Sequence, residues 1–231
     1  VKFLFVPGVN NTQNTWAPVC AALREAGHEC VAVDCPPIAD VEELAKTLLP
    51  ADDSEFVVVG HSFGGMVALS LMALAPERIQ GVVLVNSTDG SDSPEVAQAR
   101  AGRVEEARNG GYLKIAAGAT ARAYHPDNLK RDDLMANRER EVAEYGVERF
   151  AAHQLAMGSR PNREAAFAAF PKPKLVVAAD NDVVIPTAKQ KAMAERVGAV
   201  YHEIPTTGHM LPAEAPEELA GIINDWAQQS F

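Results

Sequence analysis

Six short apolar runs punctuate the chain: Phe3–Val6, Cys30–Val33, Phe56–Val59, Val82–Val85, Leu175–Ala178 and Val200–Ile204. Most are unbroken and rich in Val or Ile. They do not alternate apolar with polar. Strands covered on both faces read this way, and such strands build parallel sheets. Between the runs, apolar residues recur at helical spacing over Thr15–Ala26, Val41–Leu49, Gly64–Ala75, Thr187–Val197 and Pro216–Gln229. Strand–helix alternation with right-handed crossovers predicts an α/β fold, doubly wound around a mostly parallel sheet of about six strands. The rhythm breaks once. From Ser93 to Phe170 no strand pattern appears, and Ala, Glu and Arg dominate at helical spacing. The stretch is too long for a loop in a compact domain. The expected organisation is a core of residues 1–92 and 171–231 carrying a helical insertion, 93–170, over one end of the sheet. Gly158-Ser159-Arg160-Pro161 reads as a turn within it, and Pro171-Lys172-Pro173 returns the chain to the sheet.

The segment running from Phe56 to Leu69 carries the strongest chemical signal. An apolar strand leads into Gly60-His61-Ser62-Phe63-Gly64, and a helical pattern follows. In a turn that tight the serine is forced into a strained backbone conformation, and Gly60 and Gly64 lack the Cβ atoms that would clash. Its hydroxyl then projects clear of the sheet. The first N–H groups of the next helix point at the same place, where they favour developing negative charge.

A serine hydroxyl needs a base to take its proton. His209 follows the last strand pattern and precedes a helix, which places it in a loop at the carboxyl end of a strand, where ligands bind in open α/β sheets. An acid between the two would orient that histidine. Asp182 lies two residues beyond Asp180 after the run Leu175–Ala178 and is the better placed of the pair to reach it. Asp180, directly at the strand end, and Asp89, after Val82–Val85, are the alternatives. Two backbone donors would hold an oxyanion: Phe63 N–H, just after the serine, and Val9 N–H in the loop Pro7-Gly8-Val9-Asn10. Asn10 either adds a side-chain amide to the substrate site or is ordinary turn chemistry. Trp16 is expected to pack at the pocket floor or mouth as a substrate-binding ring. His61 reads as structural. Tyr124-His125-Pro126-Asp127 reads as a solvated helix end or a substrate contact, and Arg122 and Arg160 as surface charges or anchors for an acidic substrate.

Composition narrows the partners. With a formal net charge of −10 over 231 residues and no basic cluster, neither nucleic acid nor an anionic membrane is an expected partner. A small, neutral or weakly charged substrate fits better. Cys20, Cys30 and Cys35 are odd in number and lack C-x-x-C spacing, which argues against a disulfide framework or a zinc site. Cys20 and Cys30 read as small core residues, while Cys35 could face a pocket. No dinucleotide G-x-G-x-x-G, phosphate loop or H-E-x-x-H occurs, so neither a cofactor nor a metal is expected. Val1–Val6 is too short for a signal peptide, and no run approaches the roughly 18 apolar residues of a membrane span. A cytoplasmic location is the expectation; composition leaves the oligomeric state open.

At these residues the chain resembles the α/β-hydrolase superfamily over nearly its whole length. The likeness rests on the Pro7-Gly8 loop with Trp16 downstream, the Gly60–Gly64 elbow, the Asp182-x-x-x-Pro186 acid loop and Gly208-His209. It implies a Ser62, His209, Asp182 triad and a helical cap at 93–170 shaping the pocket. There are three departures. Pro7-Gly8 replaces the common His-Gly. Asp34-Cys35-Pro36-Pro37-Ile38 replaces the usual Asp-x-x-Gly-x-Gly. The two antiparallel strands that often lead the fold do not precede Phe3–Val6. Relatives that open haloalkanes or epoxides carry aspartate at the elbow, so Ser62 argues against both activities. The resemblance implies hydrolysis of a small ester or lactone. A serine-type C–C bond hydrolase or a hydroxynitrile-lyase-like enzyme would use the same groups, and a ligand-binding protein without catalysis could keep the same fold.

Overall fold

A computed structural model describes all residues, 1–231. The six apolar runs form six strands: β1 (Lys2–Val6), β2 (Glu29–Ala32), β3 (Phe56–His61), β4 (Ile79–Val85), β5 (Lys174–Ala179) and β6 (Val200–Ile204). They make one sheet in the order β2-β1-β3-β4-β5-β6, and every pairing is parallel. The order reverses between β1 and β3. The chain therefore winds outward from the middle in both directions, and the crevice at the carboxyl ends of these two strands is where such sheets hold their ligands. The expected α/β class and strand number both stand. β4 begins three residues before the apolar run does, because Ile79 and Gly81 already pair with Phe56 and Val57 of β3.

The helices cover both faces, which is why the strands read as continuous apolar runs. On one face α1 (Ala17–Glu25) and α10 (Pro216–Ser230) pack over Phe3, Phe5, Val57, Val59, Val83 and Val85. On the other, α2 (Val41–Leu48), α3 (Phe63–Leu74) and α8 (Thr187–Val197) cover Leu4, Val58, Leu84 and Val176. β3 is buried along its whole length. Each fully buried aliphatic side chain there contributes roughly 1.5–3 kcal/mol relative to exposure, so the strand bearing the elbow is anchored from both sides. The helical pattern at Thr15 begins as a 3-10 turn, Gln13–Trp16, and becomes α-helical only at Ala17.

Between β4 and β5 the chain forms no strand and is mostly helical: α4 (Pro94–Glu106), α5 (Tyr112–Ala123), α6 (Asp132–Ser159) and α7 (Glu164–Ala169). Ser93 starts it as an N-cap, its Oγ accepting from Val96 N–H at 3.3 Å. A π-helical turn, Ala107–Gly111, joins α4 to α5. The long α6 is kinked at Gly146, whose φ of 74° and ψ of 168° break the helix between two arms. It ends at Ser159, so of the predicted Gly158–Pro161 turn only Arg160-Pro161 is non-helical. Completing the chain order, the short α9 (Leu211–Glu214) follows β6 and its loop. No helix is long and apolar enough to cross a membrane.

Candidate active site

Ser62 sits between β3 and α3 with φ 52° and ψ −117°, a region L-residues rarely adopt. The turn is enforced by close approach. A Cβ on Gly60 would lie 2.3 Å from Gly64 O, and one on Gly64 would lie 2.1 Å from Val6 O. The elbow thus packs directly against the end of β1, and half-buried Ser62 is carried above the sheet.

Its Oγ lies 2.8 Å from Nε2 of His209. On the other side of that ring, Nδ1 lies 2.9 Å from Oδ2 of Asp182. An ionised carboxylate only accepts, so the Asp182 contact holds the proton on Nδ1 and leaves the Nε2 lone pair facing the serine. Asp182 is fixed in turn. Its Oδ1 accepts from Val184 and Ile185 N–H, both at 2.9 Å, and its Oδ2 accepts from Gln190 Nε2 at 2.9 Å. The two alternative acids are engaged elsewhere. Asp89 accepts both contacts of Arg196 Nη2, at 3.0 and 2.8 Å, and Asp180 accepts from Thr206 and Thr207 N–H in the turn after β6. The structure therefore brings Ser62, His209 and Asp182 into one line and keeps Asp89 and Asp180 out of it.

The His209 loop is braced by residues the sequence did not single out. Asn86 directly follows β4 with φ 46°; its Nδ2 donates to Gly208 O and His209 O, and its Oδ1 accepts from Ala179 N–H. An asparagine at a strand's carboxyl end was the available signal, since this residue type tolerates the left-handed region. His61 Nε2 donates to the same His209 carbonyl at 2.7 Å, as befits the structural role expected for it. Burial pushes the His61 pKa down to about 3, which keeps the ring neutral. Glu214 accepts from Gly208 N–H, His125 N–H and Asn128 Nδ2. The Tyr124–Asp127 strip is divided: Pro126 and Asp127 are exposed beyond the end of α5, as a solvated helix end would be, while Tyr124 is buried and the His125 amide ties the helical segment to the His209 loop through Glu214. Asn224, which caps His28 at 3.1 Å, belongs to the far face and takes no part.

Val9 is half-buried in the loop after β1, packed against both the sheet core and the apolar cluster of Tyr112 and Phe150 in the insertion. Asn11 N–H closes the loop onto Gly8 O at 3.3 Å. Phe63 N–H opens α3, where the first helical amides lack intrahelical acceptors. Asn10 is buried with φ 60°, and its polar groups face the insertion. Trp16 departs from expectation. Its ring is fully buried against Phe5 in the core beneath α1 and α10, with His61 edge-on at 6.5 Å, so it is a core residue and not a pocket wall. The aromatic was legible in the sequence; the direction it points, set by the 3-10 turn before α1, was not. Cys35 is buried in the core below α3 instead of facing a pocket, and burial raises its pKa to about 12. Arg160 is buried and donates to Gly90 O and Met157 O beside Asp92, away from Ser62. Arg122 is exposed. No three His, Cys, Asp or Glu side chains gather as a metal-holding cluster. A cleft of about 230 Å³ lined by Lys46, Ser70 and Arg163 shares no residue with the Ser62 line.

Residues 3–222 match the model of the alpha/beta hydrolase family, and the chain belongs to that family. Among curated proteins it is similar to the dihydrolipoyllysine-residue acetyltransferase component of an acetoin cleaving system from Pseudomonas putida, 28% identical over 245 residues. That match takes in 94% of this chain but only 60% of the relative, so the chain spans less than two thirds of that protein's length. Among solved structures, a thermophilic esterase from Thermogutta terrifontis superposes with a TM-score of 0.94 at 23% identity, covering 100% of this chain and 90% of the esterase. The enol-lactonase from Burkholderia xenovorans LB400 gives 0.86 at 22% identity, over 98% of this chain and 90% of its own. At these identities the two structures establish the shared fold.

Proposed function

We propose that this member of the alpha/beta hydrolase family is a serine hydrolase that cleaves a small ester or lactone by acyl transfer. The observation that carries the reading is the continuous line from Asp182 through His209 to Ser62, with the other nearby carboxylates occupied. In the first step His209 Nε2 takes the proton of Ser62 as Oγ bonds to the carbonyl carbon. The carbonyl electrons move to oxygen, which the Val9 and Phe63 amides receive. His209 then gives the proton to the departing alkoxide as the C–O bond breaks. A water, deprotonated by the same ring, repeats the attack and frees the acid. Asp182 holds the tautomer throughout and stabilises the cationic ring. The helical insertion, whose residues meet both the Val9 loop and the His209 loop, acts as the cap over the acyl pocket. The esterase and lactonase likenesses support an oxygen leaving group.

Initial rates on p-nitrophenyl esters of graded acyl length, and on a small lactone, test the reading. Turnover by the folded protein that is lost on Ser62→Ala, by on the order of 10⁴-fold or more in kcat, is the expected result. Undiminished turnover in that variant, or none in the wild type, would overturn it.

A further inference from the structure

Arg138, on the first arm of α6, is 5% exposed, yet it forms no ion pair. Glu141, three residues on, is a carboxylate whose charge reaches it, but not as a direct pair, and a buried cation without a contacting carboxylate persists only when hydrogen bonds hold it. Here they go to neutral groups, two of them in the loop after β1 and one on α5. Nη1 donates to Asn10 O and to Asn11 Oδ1, each at 2.7 Å, and Nε donates to Thr120 Oγ1 at 3.1 Å. Two more residues of the insertion grip the same asparagine. Tyr112 Oη meets the Asn10 side-chain amide at 3.0 Å and donates to Val142 O at 2.8 Å. Having one proton, the hydroxyl satisfies both contacts when the amide turns its NH₂ inward and donates to it. Tyr145 Oη faces the Asn10 backbone amide, and its own proton goes to His153 Nδ1. His153 Nε2 donates to Pro36 O at 2.7 Å, and the ring stacks on Phe63. The carbonyl and the side chain of Asn10 are thus both hydrogen-bonded from α5 and α6, and Tyr145 lies beside its backbone N–H.

This matters because Asn10 has φ 60°, a conformation that must be held from outside, and its neighbour is Val9. We propose that Arg138 is a positioning residue for the oxyanion loop: with Tyr112 and Tyr145 it clamps Asn10 in the left-handed conformation and so aims the Val9 N–H at the reacting carbonyl. The inference rests on the reading of Val9 as an oxyanion donor. The Arg138 charge also reaches the site itself, since it adds to the forces that keep His61 neutral. A positive charge at that place favours an oxyanion over a neutral carbonyl.

Such a role predicts a loss confined to the transition state. Arg138→Met should lower kcat by roughly 10- to 100-fold while KM stays within about threefold, as a donor is displaced and not removed. An alkyl boronic acid, whose tetrahedral adduct on the serine places an anionic oxygen in the same hole, should lose affinity by the same factor as kcat/KM. Arg138→Lys, which reaches one of the two oxygens, should recover part of both. Circular dichroism and the thermal midpoint establish that each variant is folded. A folded Arg138→Met with wild-type kcat and boronate affinity, or with only KM raised, would overturn the inference. Should that variant not fold, Tyr112→Phe decides: a several-fold parallel loss of kcat and boronate affinity supports the clamp, and no loss refutes it. Failure of the wild type to turn over any ester is a separate result and counts against the serine-hydrolase reading. An active, boronate-sensitive wild type equalled by its Arg138 variant removes the clamp alone.

Discussion

The two amides proposed to receive the oxyanion are held by different parts of the molecule. Phe63 N–H sits on an elbow whose geometry comes from its own sequence: two glycines that tolerate backbone contact, a strand buried on both faces and a helix that starts at once. Val9 N–H sits in a loop whose left-handed Asn10 is satisfied by groups over 100 residues away in α5 and α6. One amide is fixed by its own neighbours; the other is held by contacts from the helices between β4 and β5. Local steric locks resist any substitution, whereas a docked clamp can be weakened in steps. The same fold therefore has a fixed side and a tunable side.

The largest effect should come from breaking the fixed side. Gly64→Ala sets a methyl against Val6 O and Pro7 O, which are backbone atoms that cannot swing away. The expected result is no folded, active protein, or one destabilised by several kcal/mol in urea titration; a stable, fully active variant would show that the elbow is not locked. Next comes the orienting acid. Asp182→Asn should keep the fold and lower kcat by on the order of 10⁴-fold through the wrong histidine tautomer. Asp89→Asn, which loses only the Arg196 pair, should leave kcat within a few fold. The reverse pattern would reassign the acid.

The smallest expected effect sharpens the tunable side. His153, which links Tyr145 to Pro36 and stacks on Phe63, is pushed down to a pKa of about 4 by burial. The folded protein therefore holds this ring neutral while the unfolded chain protonates it near pH 6.5. The stability it contributes is complete above pH 6.5 and is lost as pH falls toward about 4, by roughly 3 kcal/mol in total. His153→Gln carries no such proton. The stability difference between wild type and this variant, from urea midpoints, should shrink between pH 6.5 and 4. A constant difference would mean the ring is not held neutral.

This division also explains what could be read from the sequence. The strands, the elbow, His209 and Asp182 announce themselves because each is fixed by neighbours a few residues away: an unbroken Val run, a glycine before and after a serine, a histidine after a strand. Arg138, Tyr145 and Glu214 were invisible for the opposite reason. On their own helices they are ordinary polar or aromatic residues, and only the docking of the insertion brings them to Asn10 or Gly208. Trp16 failed differently. Its presence after the first loop was correctly noticed, but a 3-10 turn sends its ring into the core under α1. Periodicity reports that a residue is buried and leaves open which surface covers it.

Covalent labelling reads out whether Ser62 alone among the serines is activated by His209. The protein is incubated with a fluorophosphonate, its intact mass is measured, and the adduct is mapped by peptide sequencing. A single phosphonyl adduct on Ser62, absent from His209→Ala, is the expected result. A folded protein that takes no label, or takes it on another serine, would contradict it.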